Sequence, residues 1–513
     1  MTLTRTVWCH GGLRLAAICG AALSLAASVA AADAGPFNPA PSTGERGVLR
    51  ERIVDVNVGD YAWLCAADGF GKAKEHTLEF FPGVKITIVQ DGREREENTV
   101  TWTGHVKDEP EAGAVISASH VCPPTTGRPP TVDALIDLQT RAYHITTLPG
   151  QPPRLRITEE DPNTRRRPEP DNAHLDASTV RKLHDSLRGR APVSPANPAV
   201  IDVLAGYTPP AVRRVGGQQA MLARLRLAES YMNQALADSN VAASIDIVAS
   251  YNTGYQGEQT AAVMLDKLSD SEDPQLGAKA HGFREQLGVD LVTVVNNVLV
   301  GSSGQGSLPT GGVLHSELAY SVVDVQSLVD WYNLGHEIGH NLGLFHDRAT
   351  LDQQAPGRYE QMLNRPYGTG WITPRRDYHT LMAYAVSCGG PCRPVNQYSN
   401  TENTVDGQPL GDASNNNAAL ARLTTPVVAD YRTLTMRRPR HALTLEPSAH
   451  GTIRPAVYGP YAPGTTVAIT AKPAEGYRVA AWIANGVRHD ITDDHVTVTM
   501  NRPYTVSAVF TRD

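Results

Sequence analysis

The sequence predicts a multidomain chain: a β-rich leader, a central α/β domain and a small all-β tail. Three observations point there. At 513 residues the chain exceeds what one hydrophobic core comfortably serves. The hydrophobic pattern changes character near Val200 and again after Arg440. A charged, proline-rich stretch separates the first two parts. Hydrophobic residues make up 41% and charged residues 19%, near globular averages, which excludes a wholly disordered or fibrous chain. Lys+Arg 46 against Asp+Glu 53 leaves −7, so neither a nucleic-acid partner nor a polybasic membrane contact is expected.

Residues 1–32 read as a secretory signal peptide. Arg5 and Arg14 start it, an Ala/Leu-rich apolar run follows over 15–29, and Ala30-Ala31-Ala32 offers small residues for cleavage. The run is short for a membrane span, and no later stretch is long enough. The expected location is therefore outside the cell, or periplasmic in transit. Export also governs the cysteines. Cys9 and Cys19 leave with the signal, and Cys65, Cys122, Cys388 and Cys392 remain. In an oxidising compartment their simplest pairing is Cys65–Cys122 and Cys388–Cys392.

Residues 33–196 hold the leader and linker. Runs over 78–81, 84–89, 100–104 and 114–117 read as strands, with Pro82-Gly83 as punctuation. From Leu148 to Pro198 the composition turns charged and Pro-rich, with Arg165-Arg166-Arg167-Pro168, as suits an exposed, easily cut linker. The central domain, 197–435, alternates elements: strand 200–205, helix 218–237, strand 245–249, helix 261–268, strand 289–295 and strand 314–323. That order implies a layered α/β domain. Residues 436–513 alternate as strands at 442–445, 466–470, 477–482, 496–500 and 504–510, a small antiparallel β domain.

The chemistry concentrates in His336-Glu337-Ile338-Gly339-His340-Asn341-Leu342-Gly343-Leu344-Phe345-His346-Asp347. Apolar residues at helical spacing over 325–334 extend a helix into it. His336 and His340 then lie one turn apart on one face, where two imidazoles can bind one metal, zinc by default. A continued helix would carry His346 about 15 Å along the axis from His336, out of reach of the same ion. The helix must therefore end before His346, and Gly343 is the residue that tolerates the left-handed ending. Three neutral imidazoles leave one position open for water. Glu337 adjoins the first of them and is placed as general base rather than ligand.

This segment resembles the metzincin clan of zinc endopeptidases, and Asp347 after the third histidine is similar to the reprolysin type. The resemblance implies a Met-turn beneath the metal, and Thr380-Leu381-Met382-Ala383-Tyr384 fits it, with Met382 36 residues past His346. Tyr384 departs from animal reprolysins. It is similar to the Met-x-Tyr of astacins and serralysins, whose tyrosine approaches the metal or the oxyanion. Ile201-Asp202-Val203-Leu204, Tyr207-Thr208-Pro209 and Cys388…Cys392…Tyr398-Ser399-Asn400 resemble bacterial enzymes of the peptidyl-Asp metalloendopeptidase group, and the leader resembles their propeptides. The tail resembles internalin B-repeat domains, which implies attachment or spacing and a surface ligand. The resemblance implies a secreted zinc endopeptidase acting on proteins or peptides, made as a zymogen. His336, His340 and His346 would bind the metal, and Glu337 and Tyr384 would act in catalysis. Latency by a Cys122 thiol on the metal competes with a Cys65–Cys122 disulfide. A non-enzymatic adhesin using the β tail is the alternative of another class, though a scaffold has no need of Glu337.

Overall fold

The computed structural model describes residues 48–513 apart from 57, 67–68, 97, 123–127, 139, 149, 151, 162–186, 188, 391 and 437–438. The signal peptide and the Arg165–Arg167 run lie outside the described residues.

The central domain is built on a five-stranded sheet. Strands Ala243–Asn252, Ala199–Tyr207, Leu291–Asn296 and Tyr320–Asp324 run parallel in that spatial order, and Gly304–Gly306 closes one edge antiparallel. The Leu291–Asn296 strand is buried at every residue, as a parallel strand covered on both faces must be. The strand expected over 314–323 is shorter, because Ser316–Leu318 forms a 3-10 turn and pairing begins only at Tyr320. Helix Gly277–Leu287, with too weak an apolar stripe to read from sequence, precedes the Leu291–Asn296 strand.

Helix Gln218–Asp238 is covered on both sides. One face meets Ile201, Val203 and Ile245 of the central sheet, and Tyr231 on the other side donates to the Leu135 carbonyl of the leader (3.5 Å). Fourteen of its 21 residues are buried, which is why its apolar positions spread beyond a single stripe.

The leader is an antiparallel sheet in the order Val48–Asp55, Arg154–Glu160, Ala142–Leu148, Thr131–Asp137, Glu109–Ser119, Thr99–Val106 and Val84–Glu96. Its own core gathers Phe80, Ile88, Trp102, Ile116 and Ile136, while Val115 and Leu135 point the other way into the central core. The linker therefore begins later than its composition predicts. Arg154–Glu160 pairs with both Val48–Asp55 and Ala142–Leu148 despite its charges, because its alternate residues Leu155 and Ile157 are buried.

The five tail strands form as expected, but the tail is not a self-contained antiparallel unit. Leu443–Leu445 pairs parallel with Tyr504–Arg512. Strand Thr465–Pro473 joins the leader sheet, with Thr466 opposite Arg93 and Val467 opposite Gly92. Leader residues Gly71–Lys72 pair in turn with His495–Met500. A single 12-stranded sheet results. Both expected disulfides, Cys65–Cys122 and Cys388–Cys392, are present.

Candidate active site

The helix that presents the first two histidines is shorter than predicted. Ser327–Asp330 forms one turn, the chain breaks at Tyr332 (φ +53°), and a new helix runs Asn333–Asn341. The left-handed tyrosine re-aims the chain, and the Gly335 and His336 amides bond back to its carbonyl at 2.9 and 3.2 Å. The helix ends where the sequence requires. Gly343 sits at φ +77°, its amide donates to the His340 carbonyl (2.7 Å), and the Leu344 amide donates to the Gly339 carbonyl (3.0 Å). These are the paired bonds of a Schellman ending. Asn364 locks the turn by donating to the Gly343 and Pro309 carbonyls, both at 2.8 Å.

The turn brings His346 back over the helix. Its Nε2 lies 3.2 Å from His336 Nε2 and 2.9 Å from His340 Nε2, and all three rings are buried. The tautomers follow from what holds the far nitrogens. His336 Nδ1 meets the Leu381 carbonyl (2.8 Å), His340 Nδ1 the Leu344 carbonyl (3.0 Å) and His346 Nδ1 the Gln354 side-chain oxygen (3.0 Å). A carbonyl oxygen only accepts, so each Nδ1 carries the hydrogen and each neutral ring turns its Nε2 lone pair inward. Three converging lone pairs repel unless a cation lies among them. Nitrogens held tetrahedrally at 2.0–2.1 Å from one zinc stand roughly 3.3 Å apart, close to the spacing found. The site fits the ion.

Met382 is fully buried beneath the helix. A Cβ on Gly339 would lie 2.6 Å from its sulfur, so the close approach of Met-turn and helix needs glycine there. Asp347 ties the third histidine to this turn. Its carboxylate accepts the Thr350 amide (3.0 Å) and hydroxyl (2.7 Å), capping helix Arg348–Gln354, and also the Tyr384 amide (3.2 Å). Tyr384 points its hydroxyl to within 3.2 Å of His336 Nε2. A small cleft opens beside His336 and Tyr384, lined among others by Trp331, Asn333, His379 and Pro394.

All five site residues read from the sequence therefore gather here. Glu337 is 1% exposed, and the edge strand crowds it. A Cβ on Gly304 would fall 2.2 Å from its Oε1, and one on Gly306 would fall 2.3 Å from its backbone oxygen. Sequence reading missed Gly304, Gly306, Asn364 and Gln354. The contact at Gly304 makes a prediction. Gly304→Ala should push the Glu337 carboxylate, a flexible side-chain end, out of place. Turnover should fall at least about tenfold, the modest end of what general-base catalysis contributes, with the zinc content unchanged. Peptide assay beside metal analysis reads both, and undiminished turnover would show that the crowding is harmless.

Fold and site together present three histidines converging beside a buried carboxylate at the edge of an α/β sheet. Residues 197–416 match the family model described as metallo-peptidase family M12B reprolysin-like, a zinc-dependent family, and residues 441–513 match the divergent InlB B-repeat domain. The similar curated proteins are peptidyl-Asp metalloendopeptidases. That of Stenotrophomonas maltophilia (strain K279a) is 29% identical over 228 residues, 44% of this chain and 51% of the relative. That of Xanthomonas campestris pv. campestris is 29% identical over 224 residues, 44% of this chain and 49% of the relative. The chain thus spans about half the length of the curated relatives it matches. A solved chain described as "Structure of a chaperone-substrate complex" aligns at 18% identity and TM-score 0.35 over 46% of this chain and 36% of its own, too slight a likeness to bear on the fold.

Proposed function

We propose that this chain is an exported zinc endopeptidase made as a zymogen, with His336, His340 and His346 as its metal ligands. The observation that carries the reading is the convergence of His336 Nε2 and His340 Nε2 on His346 Nε2, at 3.2 and 2.9 Å, with each ring fixed by an acceptor on its Nδ1. Zinc held there would polarise the scissile carbonyl and acidify the attacking water. Glu337 takes the proton from that water and passes it to the leaving amine. The Tyr384 hydroxyl donates to the developing oxyanion, the position its approach to His336 favours. Cleavage beside aspartate, the preference named in the relatives, is part of the proposal. A casein zymogram with and without chelator tests the activity, and clearing that persists in chelator would sink it.

Tyr384→Phe is expected to lower kcat by about 10²–10³-fold, the usual cost of one oxyanion donor, with little change in KM. Unchanged kcat would return the phenol to a packing role.

Export is supported by the two disulfides. Latency through a Cys122 thiol is not, because Cys122 is bonded to Cys65. The leader instead packs on the catalytic domain beside the active-site helix. Tyr332, which starts that helix, donates to Asp137 (3.2 Å), and Arg224 reaches His144 (3.2 Å) and Asp133 (3.4 Å) of the leader. We place the activating cut between about Arg165 and Asn197, in the charged, proline-rich stretch. Within that window Leu187 and Val193 are buried in the central core, whereas residues 189–192 and 195–197 are exposed and open to proteases. The precursor should be inactive and gain activity on cutting there, followed by N-terminal sequencing and peptide assay. Full activity of the uncut chain would overturn the zymogen reading.

A further inference from the structure

A second cluster of metal-ligating side chains lies where the tail joins the leader. Asp91 on strand Val84–Glu96, His105 on Thr99–Val106 and His495 on His495–Met500 meet there. His105 Nδ1 stands 2.9 and 3.0 Å from the two Asp91 oxygens, and His495 Nε2 stands 3.0 Å from Asp91 Oδ1. The Asp91 side chain is only 13% exposed. The three ligand atoms all lie within 4.8 Å of one another, as those of the three-histidine site do.

The surroundings call for positive charge. An open cleft adjoins the cluster, bounded also by Asp238 of the long central helix and by Arg454 and Asp494 of the tail. Arg454 is paired to Asp238 at 3.3 Å. With neutral imidazoles, Asp91 then leaves a negative charge in a largely enclosed position, which a divalent cation would offset. The cleft gives room for water to complete its coordination.

We infer that Asp91, His105 and His495 bind a first-row divalent cation, separate from the active-site ion. Two imidazole nitrogens and one carboxylate oxygen suit zinc best. The ion would clasp two parts of the chain that share few backbone pairs at this seam. Strand Thr465–Pro473 meets strand Val84–Glu96 through two residue pairs only. Asp91 and His105 belong to the leader and His495 to the tail, so neither part holds the whole ligand set, and separating them would dismantle the site.

The test is a metal count on the full-length precursor carrying Glu337→Gln, which prevents self-cutting, after dialysis against zinc-poor buffer. Two zinc ions per chain are expected. His495→Ala and, separately, His105→Ala should each remove one, and His346→Ala should remove the other. A single ion that His346→Ala abolishes would overturn the inference and mean that protons alone hold the two imidazoles to Asp91. Two ions untouched by His495→Ala and His105→Ala would overturn it as well. A count that His346→Ala leaves unchanged would instead count against the active-site assignment, so the two failures are distinguishable. Cobalt(II) titration of the otherwise unmutated precursor needs no folded histidine variant. Two spectroscopically distinct binding steps support the inference, and one step overturns it.

Discussion

Glu337→Gln is expected to leave zinc bound and to lower turnover by about 10²–10⁴-fold, the usual span of general-base catalysis. Glutamine has nearly the same shape, so the packing against Gly304 and the helix should survive. An amide cannot take a proton from water, so the chemical step loses its base. The loss should fall on kcat, because a group that acts only as bonds change contributes little to ground-state binding. The carboxylate is almost completely buried, so bulk buffer has poor access to the position it would have to serve. Metal analysis beside a peptide assay decides the matter. Near-wild-type turnover would remove Glu337 from the mechanism.

His346→Ala should cost the chain one zinc ion and with it the activity. The third ring arrives through a turn that Gly343, Asn364 and the Schellman bonds build, and no side chain beyond the three histidines replaces its Nε2 among the described donor clusters. Losing only the hydrogen-bond partner behind a ligand typically weakens metal binding by about 10–100-fold, so losing the ligand itself should exceed that. Competition against a chelator of known affinity measures the change. Full occupancy of the active site at submicromolar free zinc would show that His346 is not a ligand. Gln354 gives the same experiment a built-in scale, because its side-chain oxygen is the one removable acceptor among the three.

How much of this was legible depended on range. The four-residue step from His336 to His340 fixes both on one helix face whatever surrounds them. The ten-residue step to His346 excludes a continuous helix, and Gly343 is the only glycine between the second and third histidines, so the turn could be placed from sequence. The break at Tyr332 could not, because nothing in apolar spacing marks a non-glycine residue forced into the left-handed region by its neighbours. Arg154–Glu160 was hidden for a related reason. Its composition is that of a linker, and only the partners on either side make it a strand.

The sequence by itself determined the buried strand at Leu291–Asn296, the Cys388–Cys392 pairing and the gathering of His336, His340 and His346, since each depends on residues close in the chain or on a periodicity within one element. Tertiary structure alone decided the contacts between elements. It set the edge glycines against Glu337 and Gln354 behind His346. It also laid the tail into the leader sheet, bringing His495 to Asp91 across 404 positions. An alternating strand shows which of its faces is buried but not which strand lies beside it. That choice belongs to the assembled core, where the leader and tail bury what neither covers alone.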